Sequence, residues 1–226
     1  MVSRSLIPGK TYFAAVAQKT FGTGFFDDAC KEFYLLRLLN CQNAFQVQIH
    51  AYLLMKKEIF LVFTPLTPSG FDSFTRFLNG SYRRYYLIRF ARSVLAWQNE
   101  PTVCRLPSDN LVLDCHKFVE RHVLDSGSES HPGEYHYSSY CANAFTQKPS
   151  FLKRHLAVRQ FMNIEANGLS RYRDFIAKPF RDEYKRFLRS RLLYGQALLQ
   201  KKSSSRLENN RSLTDIEKSV TIATIA

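Results

Sequence analysis

Runs of apolar residues with a period of two predict four strands in the N-terminal part of the chain. The clearest are TYFAAVAQ (11–18), which a Gly-rich FGTG turn follows, and two neighbouring runs, FQVQIHAYLLM (45–55) and EIFLVFTP (58–65), which are rich in β-branched and aromatic residues. The neighbouring runs predict a hairpin with Lys56-Lys57 near its turn. A shorter run, WQNEPTVCRLP (97–107), predicts the fourth strand.

Apolar residues at helical spacing predict a helix after each of three capping signals. Asp27-Asp28 precede ACKEFYLLRLLNC, in which Phe33, Leu36 and Leu39 recur. Ser69 precedes GFDSFTRFLNGSYRRYYLIRFA, and Ser108-Asp109 precede DNLVLDCHKFVERHVL. The apolar side of the second helix is predicted to contain Phe71, Phe74, Phe77, Leu78, Tyr85 and Ile88, with basic residues on its other side.

The order of these elements predicts the fold class. A β-α-β-β-α-β series followed by a helix is typical of a ferredoxin-like fold, an α/β (α+β) architecture built on an antiparallel sheet. We expect the helices to lie on one face of that sheet.

The chain changes character after this unit. DSGSESHPGEYHYSSY (125–140) is rich in Gly, Ser and Pro and predicts an irregular loop. Beyond Lys148-Pro149 come helices dense in Arg and Lys, with an apolar stripe of Phe180, Tyr184, Phe187 and Leu188. That stripe indicates packing on the core, and nucleic-acid contact by the basic side is the alternative. We expect a core domain at 1–147, a basic helical extension at 148–202 and a disordered tail at 203–226.

Net charge narrows the class of partner. The chain carries 32 Lys and Arg against 19 Asp and Glu, a net charge of +13. Such a positive field favours a polyanion, and nucleic acid is the leading class. The alternative is a solvated basic surface without a nucleic-acid function.

Cysteine usage and hydropathy indicate the compartment. The five cysteines are scattered and form no C-x-x-C pair, so neither a zinc ribbon nor a disulfide framework is predicted. No apolar stretch approaches the roughly 20 residues of a membrane span, and the N-terminus lacks the pattern of a secretory leader. We expect a cytoplasmic protein without membrane contact.

Several segments, in order, resemble the REP-associated tyrosine transposases of the single-tyrosine HUH superfamily. IHAYLLMKKEIFLVFTP resembles the strand pair "hAYvlMpNHvHLl" of that family, and HKFVERHV resembles its "rYIelNPv" helix. FTRFLNGSYRRYYLIRF, AWQNEPTVCRL and EYHYSSYCANA resemble its tyrosine- and arginine-bearing helix, its "lWqgrf" segment and its "dYpWSSYrA" loop. The likeness extends over about 11–145 and implies an HUH core.

The resemblance implies a chemistry whose key residues are replaced in this chain. Family members cleave and rejoin single-stranded DNA with a tyrosine nucleophile and a divalent metal held by H-x-H. Here Glu58 and Phe60 occupy the two metal positions, and Phe118 occupies the nucleophile position. A phenyl ring offers neither a metal ligand nor an attacking oxygen, so no catalytic or metal site is intact.

Two ways of rebuilding the site stay open in the sequence. His122 lies one helical turn after Phe118, so it could point toward Glu58 and form a substitute site for Mg²⁺ or Mn²⁺. The alternative for His122 is a capping or surface role, and His116 is poorly spaced to join such a site. Tyr82, Tyr85 or Tyr86 could act as a displaced nucleophile, although packing or stacking is the competing interpretation. Without a rebuilt site, no cofactor is expected.

The binding apparatus implied by the resemblance is retained. The DNA-binding candidates, basic side chains interleaved with aromatic ones, are Arg83, Arg84, Tyr85, Arg89, Arg92 and Trp97. Basic groups track phosphates and aromatic faces stack on unpaired bases. The alternative is that the tyrosine packs in the core and the arginines are only solvated.

These observations predict a DNA-binding protein of transposase descent, related to DNA transposition and recombination in mobile elements. Its partner is expected to be single-stranded or hairpin DNA, and cleavage and joining of strands are expected to be lost. An active transposase or nuclease with a rearranged site is one alternative, and a decayed or protein-interaction product without a DNA role is another. Oligomeric state and the DNA sequence recognised stay open.

Overall fold

The computed structural model describes residues 5–17, 24–91, 101–145, 152–163 and 167–194. Four strands form one sheet: β1 (Tyr12–Ala17), β2 (Val47–Leu54), β3 (Glu58–Pro65) and β4 (Thr102–Arg105). The helices are α1 (Asp28–Asn40), α2 (Gly70–Phe90), α3 (Asp109–Asp125), α4 (Tyr140–Ala144), α5 (Leu156–Asn163), α6 (Gly168–Ala177) and α7 (Asp182–Tyr194), and a 3-10 turn spans Pro132–Glu134. In the described residues, no helix is long and apolar enough to cross a membrane.

The sheet has the order β2-β3-β1-β4, and every pair of neighbours is antiparallel. This topology is the ferredoxin-like arrangement, so the predicted fold class is confirmed. β2 and β3 form the predicted hairpin, and Lys56 and Lys57 are exposed in its turn. The Gly-rich turn expected at 21–24 and the start of the fourth predicted strand lie mostly outside the described residues.

The prediction that all helices lie on one face of the sheet is wrong. α1 and α2 cover one face, where Leu61 and Phe63 of β3 point into the first core. The alternate residues Phe60 and Val62 point to the opposite face, which α3 and α7 cover. Both faces of a strand are apolar here because each is buried, which is why β2 and β3 are almost continuously hydrophobic.

The helix boundaries follow local capping chemistry. Asp27 accepts a hydrogen bond from the backbone amide of Cys30 at 2.9 Å and begins α1. Ser108 caps α3 in the same way through the amide of Leu111. Ser69 directly precedes α2, so the predicted start of this helix is confirmed. The side chain of Ser69 makes no capping hydrogen bond.

Two predicted apolar faces are shifted. The buried residues of α1 are Cys30, Tyr34 and Leu38, whereas Leu36 is 57% exposed. In α2 the predicted Ile88 is 75% exposed, and Tyr82 and Tyr86 are buried instead. Helical spacing alone does not show which side of α1 or α2 is buried, because apolar residues occupy more than one side of each helix.

The C-terminal helices pack on the second face of the sheet. α6 ends before Pro179, and α7 follows as a separate helix. Leu188 and Leu192 of α7 are fully buried in the second core, and the predicted stripe of Phe180, Tyr184, Phe187 and Leu188 packs there. The sulfhydryl of Cys104 on β4 donates to the carbonyl of Arg191 at 3.3 Å, which fastens α7 to the sheet edge.

Candidate functional site

The first residues of β3 face the middle of α3. Glu58 and Phe60 alternate with residues of the other core, so both point toward the face covered by α3. Phe118 and His122 lie one helical turn apart on α3 and point back toward them. The structure therefore brings together the positions that the sequence resemblance assigns to the metal and to the nucleophile.

An aromatic cluster fills the centre of this arrangement. The ring centroids of Phe60 and Phe118 are 5.6 Å apart, and Phe13 lies 5.8 Å from Phe60 and 6.0 Å from Phe118. All three rings are at most 2% exposed. Burial of such side chains is worth roughly 1.5–3 kcal/mol each, so this region is part of the hydrophobic core. It offers no oxygen or nitrogen to a metal ion or to phosphorus.

Glu58 and His122 form a hydrogen-bonded pair at the edge of the cluster. The Nε2 atom of His122 lies 3.0 Å from Oε2 of Glu58, and the guanidinium of Arg189 lies 3.5 Å from Oε1. The hydrogen bond from His122 is the main cause that lowers the pKa of Glu58, in opposition to desolvation. His122 is 5% exposed and its imidazole contacts Glu58, so the alternative of a surface histidine is wrong.

These residues do not fit the divalent metal that the resemblance implies. Phe60 supplies no donor atom, and both carboxylate oxygens of Glu58 already face cationic or hydrogen-bonding groups. His116 belongs to a separate buried network around Glu120. Among the described residues, no group of three or more His, Cys, Asp or Glu side chains lies close enough together to hold a metal ion.

The tyrosines of α2 lie on the wrong side of the sheet to act as displaced nucleophiles. Tyr82 and Tyr86 are buried in the first core, whereas Glu58 and His122 face the second. The hydroxyl of Tyr82 donates to the carbonyl of Gly24 at 2.9 Å, and burial raises its pKa far above the ordinary value. Tyr85 also packs against the first core. The sheet therefore separates every one of these hydroxyls from the proposed metal position.

The DNA-binding candidates on α2 fall into two groups. Arg83 and Arg84 are exposed in the middle of the helix. Arg89 pairs with Asp27 at 2.7 Å and also donates to the hydroxyl of Tyr85 at 2.9 Å. The ring of Tyr85 stacks on Phe33 with centroids 4.1 Å apart. Arg89 and Tyr85 thus have intramolecular partners, and Arg92 and Trp97 lie outside the described residues.

A polar cleft at the other end of the sheet is not evident from the sequence. It lies between the ends of the strands, the start of α3 and the segment that leads into α5, and has a volume of about 850 Å³. Thr64 in the cleft is six residues along β3 from Glu58, or about 20 Å at the rise of a strand. The cleft is therefore distinct from the aromatic cluster.

Four side chains join in a single hydrogen-bonded chain at the floor of this cleft. His155 Nε2 lies 2.9 Å from Thr11 Oγ1, which lies 3.2 Å from Thr64 Oγ1. Thr64 Oγ1 lies 2.9 Å from His50 Nε2, and His50 Nδ1 lies 2.6 Å from the carbonyl of Lys153.

Donor counting fixes the direction of every bond in this chain. The backbone amide of Ala157 donates to His155 Nδ1 at 3.0 Å, so the proton of His155 lies on Nε2 and is donated to Thr11. Thr11 then donates to Thr64, and Thr64 donates to His50 Nε2. His50 Nδ1 carries the proton of that ring, because the carbonyl of Lys153 only accepts. Both imidazoles are therefore neutral, and desolvation lowers the pKa of each, that of His50 to about 4.

A β-bulge lies at His50 in β2. The pairing of β2 with β3 shifts register between Ile49 and Ala51. Before the bulge, Val47 and Ile49 point into the first core, and after it Tyr52 and Leu54 do so. Gln48 and His50 alternate with Val47 and Ile49 and therefore point to the side of the cleft, and after the bulge Ala51 and Leu53 continue on that side of the sheet.

A second buried network connects α3 to the C-terminal helices. The carboxylate of Glu120, which is fully buried, accepts from Ser139 and Asn143 at 2.7 Å and from the hydroxyl of Tyr172 at 2.8 Å. Because Tyr172 donates to Glu120, it accepts from His116 Nδ1 at 3.3 Å. Burial raises the pKa of Glu120, which its three donors oppose. This network positions α3, α4 and α6 relative to one another, and its polar groups are internal to the fold.

The fold is similar to that of a solved transposase. The structure of a REP-associated tyrosine transposase bound to a REP hairpin matches this chain with a TM-score of 0.53 and 11% sequence identity. The match covers 69% of this chain and 98% of that chain. No protein-family model and no curated protein matches the sequence. At this identity the likeness shows a shared fold, and the fold is transposase-like.

Proposed function

We propose that this protein binds DNA folded into a hairpin and does not cut or join strands. The observation that carries the proposal is the likeness of its fold to a transposase bound to a REP hairpin, over nearly the whole length of that protein. The net charge of +13 supports the same partner class, because a positive field attracts a polyanion such as DNA.

The aromatic cluster supports the loss of strand cleavage. Phosphodiester transfer to a protein needs an attacking oxygen and a group that stabilises charge on the phosphoryl oxygens. Phe118 and Phe60 supply neither, and their rings are packed against Phe13 without space for a substrate. Arg189 and His122 engage the carboxylate of Glu58 from two sides.

Exposed arginines on α2 are the proposed phosphate contacts. Arg83 and Arg84 project from the helix face opposite the first core, where a nucleic-acid backbone could approach without rearrangement of the fold. We propose that Arg92 and Trp97, which lie outside the described residues, also contact DNA, with the indole as a stacking partner for an unpaired base. Arg89 contributes charge near the same surface while its ion pair with Asp27 keeps its position.

A covalent-capture experiment tests the absence of chemistry. A hairpin oligonucleotide with single-stranded flanks is labelled at its 3′ end, because a 5′-phosphotyrosine adduct would retain that label. The protein is incubated with the oligonucleotide and Mg²⁺ or Mn²⁺ and then separated under denaturing conditions. We expect no labelled protein band. A labelled band would show an active nuclease with a rearranged site and would overturn this part of the proposal.

Equilibrium binding tests the DNA role separately. Fluorescence anisotropy of the same hairpin, a duplex and an unstructured strand is measured over a range of salt concentrations. We expect binding with log K falling linearly against log salt, with a slope of about −0.9 per phosphate contact on duplex DNA. Tighter binding of the hairpin than of the duplex is also expected. Absence of any binding at low salt would favour a product without a DNA role.

A further inference from the structure

The polar cleft at the end of the sheet has three chemically different parts. Its floor is the hydrogen-bonded chain of Thr11, Thr64 and the two histidines. Its walls include the side chains of Leu106, Val112, Leu152 and Leu156. Among the described residues, its lining contains four cationic side chains against a single carboxylate, that of Asp109; the cations are Lys10, Lys153, Arg154 and Arg159.

The two threonines of the floor offer acceptors and no donors to a ligand. Each threonine hydroxyl uses its one proton inside the chain and one lone pair to accept from the preceding member. Within the part of the protein that the structure describes, Thr11 and Thr64 each keep one hydroxyl lone pair for a further donor, and both imidazoles have their two nitrogens engaged. A ligand group placed against the two hydroxyls must donate a hydrogen bond, because a carbonyl or phosphate oxygen there would lose its water without gaining a donor from them. The amide of Gln48, which pairs with Thr64 in the sheet, also lines the cleft.

The rim has the opposite preference. Lys10, Lys153 and Arg159 are exposed and charged, so an anionic group is favoured there. The N-termini of α3 and α5 also open at this end of the cleft, and the partial positive charge of a helix start adds to that field. A ligand that fits must therefore carry donors at one end and negative charge at the other.

We propose that this cleft binds a nucleotide, with the amino group of its base on the threonine floor and its phosphate at the cationic rim. The apolar lining provides surface against which a base can pack, and the volume lies within the roughly 300–1,000 Å³ typical of small-molecule sites. The nucleotide is either a free monophosphate or a unit of a strand. Nucleotide binding here does not depend on hairpin binding, because no residue of α2 or of the aromatic cluster lines the cleft.

Two nucleotides that differ at one position provide the sharpest probe. CMP carries an exocyclic amino group where UMP carries a carbonyl oxygen, and the phosphate and sugar are the same. Isothermal titration calorimetry of the full chain with CMP, UMP, AMP and inorganic phosphate is the measurement. We expect CMP or AMP to bind at least about tenfold more tightly than UMP and than phosphate, because the floor discriminates a donor from an acceptor.

Paired substitutions test the rim. Lys153→Ala with Arg159→Ala is expected to weaken binding of the preferred nucleotide by at least about tenfold, since the phosphate no longer meets two cationic donors. The matched control is Lys178→Ala with Arg181→Ala, which removes one exposed lysine and one exposed arginine that do not line the cleft. All four side chains are exposed, so the folded state should persist. Thr64→Val removes a floor hydroxyl and is expected to reduce the CMP over UMP preference.

A hairpin with a single-stranded tail of cytosines or of thymines distinguishes a free monophosphate from a unit of a strand as the ligand of the cleft. A tail preference that disappears in the Lys153 and Arg159 double variant assigns the site to a strand, and displacement by CMP without a tail preference assigns it to a free nucleotide. The inference is overturned if neither CMP nor AMP binds more tightly than phosphate, or if the rim variant binds as the control does. Loss of hairpin binding with nucleotide binding retained would overturn only the proposed function.

Discussion

The imidazole of His50 is locked in its neutral form by the groups around it. Its Nδ1 proton is used on the carbonyl of Lys153, and its Nε2 lone pair is used on the hydroxyl of Thr64. A second proton would place two donors face to face and reverse the hydrogen-bonded chain up to His155, whose Nδ1 receives the amide of Ala157. Protonation of one buried residue is therefore coupled to the start of α5.

We predict that acid destabilises the fold through these histidines. The pKa of His50 is about 4 in the fold, whereas an unfolded histidine titrates near 6.5, so the unfolded chain binds more protons between these values. The free energy of unfolding should be highest above about pH 6.5 and should fall as the pH is lowered. At pH 4 the loss from His50 alone should be roughly 3 kcal/mol. His155 and His116 have lowered pKa values for the same reason and add to the slope.

Urea unfolding at a series of pH values measures this dependence. His50→Gln should reduce the slope of the unfolding free energy against pH, even if it lowers the stability at every pH, because the titrating group is removed. His136→Gln is the matched control, since it removes an exposed imidazole from the loop before α4. An identical slope in the wild-type chain and in His50→Gln would contradict the assignment.

A single substitution tests whether a tyrosine at position 118 can act as the nucleophile that the transposase resemblance implies. Phe118→Tyr adds a hydroxyl near the aromatic cluster, where the parent side chain is 2% exposed. A buried hydroxyl without a partner costs roughly 1–3 kcal/mol, so we expect a lower urea midpoint. We also expect no covalent adduct, because Phe60 still supplies no metal ligand. A covalent protein–DNA adduct in this variant would show that Glu58, without a second metal ligand at Phe60, is enough for strand cleavage.

At the scale of elements, the two glycines of α2 should respond in opposite directions to the same substitution. A Cβ atom at Gly70 would lie 2.5 Å from the carbonyl oxygen of Phe45, whereas one at Gly80 would meet nothing within 4 Å. Gly70→Ala is expected to destabilise the protein by about 1–3 kcal/mol because backbone atoms must move. Gly80→Ala should stabilise it by about 0.5–1 kcal/mol.

Thermal or urea unfolding of the two variants gives the comparison, with each serving as the control for the other. Equal effects would mean that the close approach of α2 to the segment before β2 is relaxed in solution. That approach matters because it sets where α2 begins, and so which of its sides presents Arg83 and Arg84 to solvent.

The elements are largely predictable from the sequence, and their packing partners are not. Strand alternation, the hairpin turn at Lys56 and the caps at Asp27 and Ser108 are local signals, and each of these strands and helices is present among the described residues. The side of the sheet that α3 covers depends on contacts distant in sequence. The bulge at His50 depends on pairing with β3, and no local pattern specifies it.

The candidate site shows the same division. The proximity of Glu58 and His122 is predictable as one of two alternatives, because strand parity and helical spacing are both readable from the chain. The cleft is not predictable, because its residues are single polar positions from three separate regions, at 11, at 50 and 64, and at 155. Only the folded sheet brings them within hydrogen-bonding distance.

At the scale of the whole molecule, the C-terminal helices complete the second core. Leu188 and Leu192 of α7 cover the sheet face that bears the aromatic cluster, and the Glu120 network holds α6 against α3. The same helices carry basic side chains outward, so positive charge lies on both sides of the molecule. Charge alone therefore does not identify the DNA-binding surface, and a comparison of opposite faces is needed.

Charge reversal on the two faces makes that comparison. Arg83→Glu with Arg84→Glu changes α2, and Lys178→Glu with Arg181→Glu changes the opposite side of the sheet by the same amount. If α2 touches the DNA backbone, the first pair should reduce the slope of log K against log salt by about 0.7–0.9 for each phosphate that the variant no longer neutralises. The second pair should weaken binding only through the general field, with little change in slope. Equal slopes in the two variants would show that the protein attracts DNA by net charge without a defined surface on α2, and fluorescence anisotropy with the labelled hairpin decides between these outcomes.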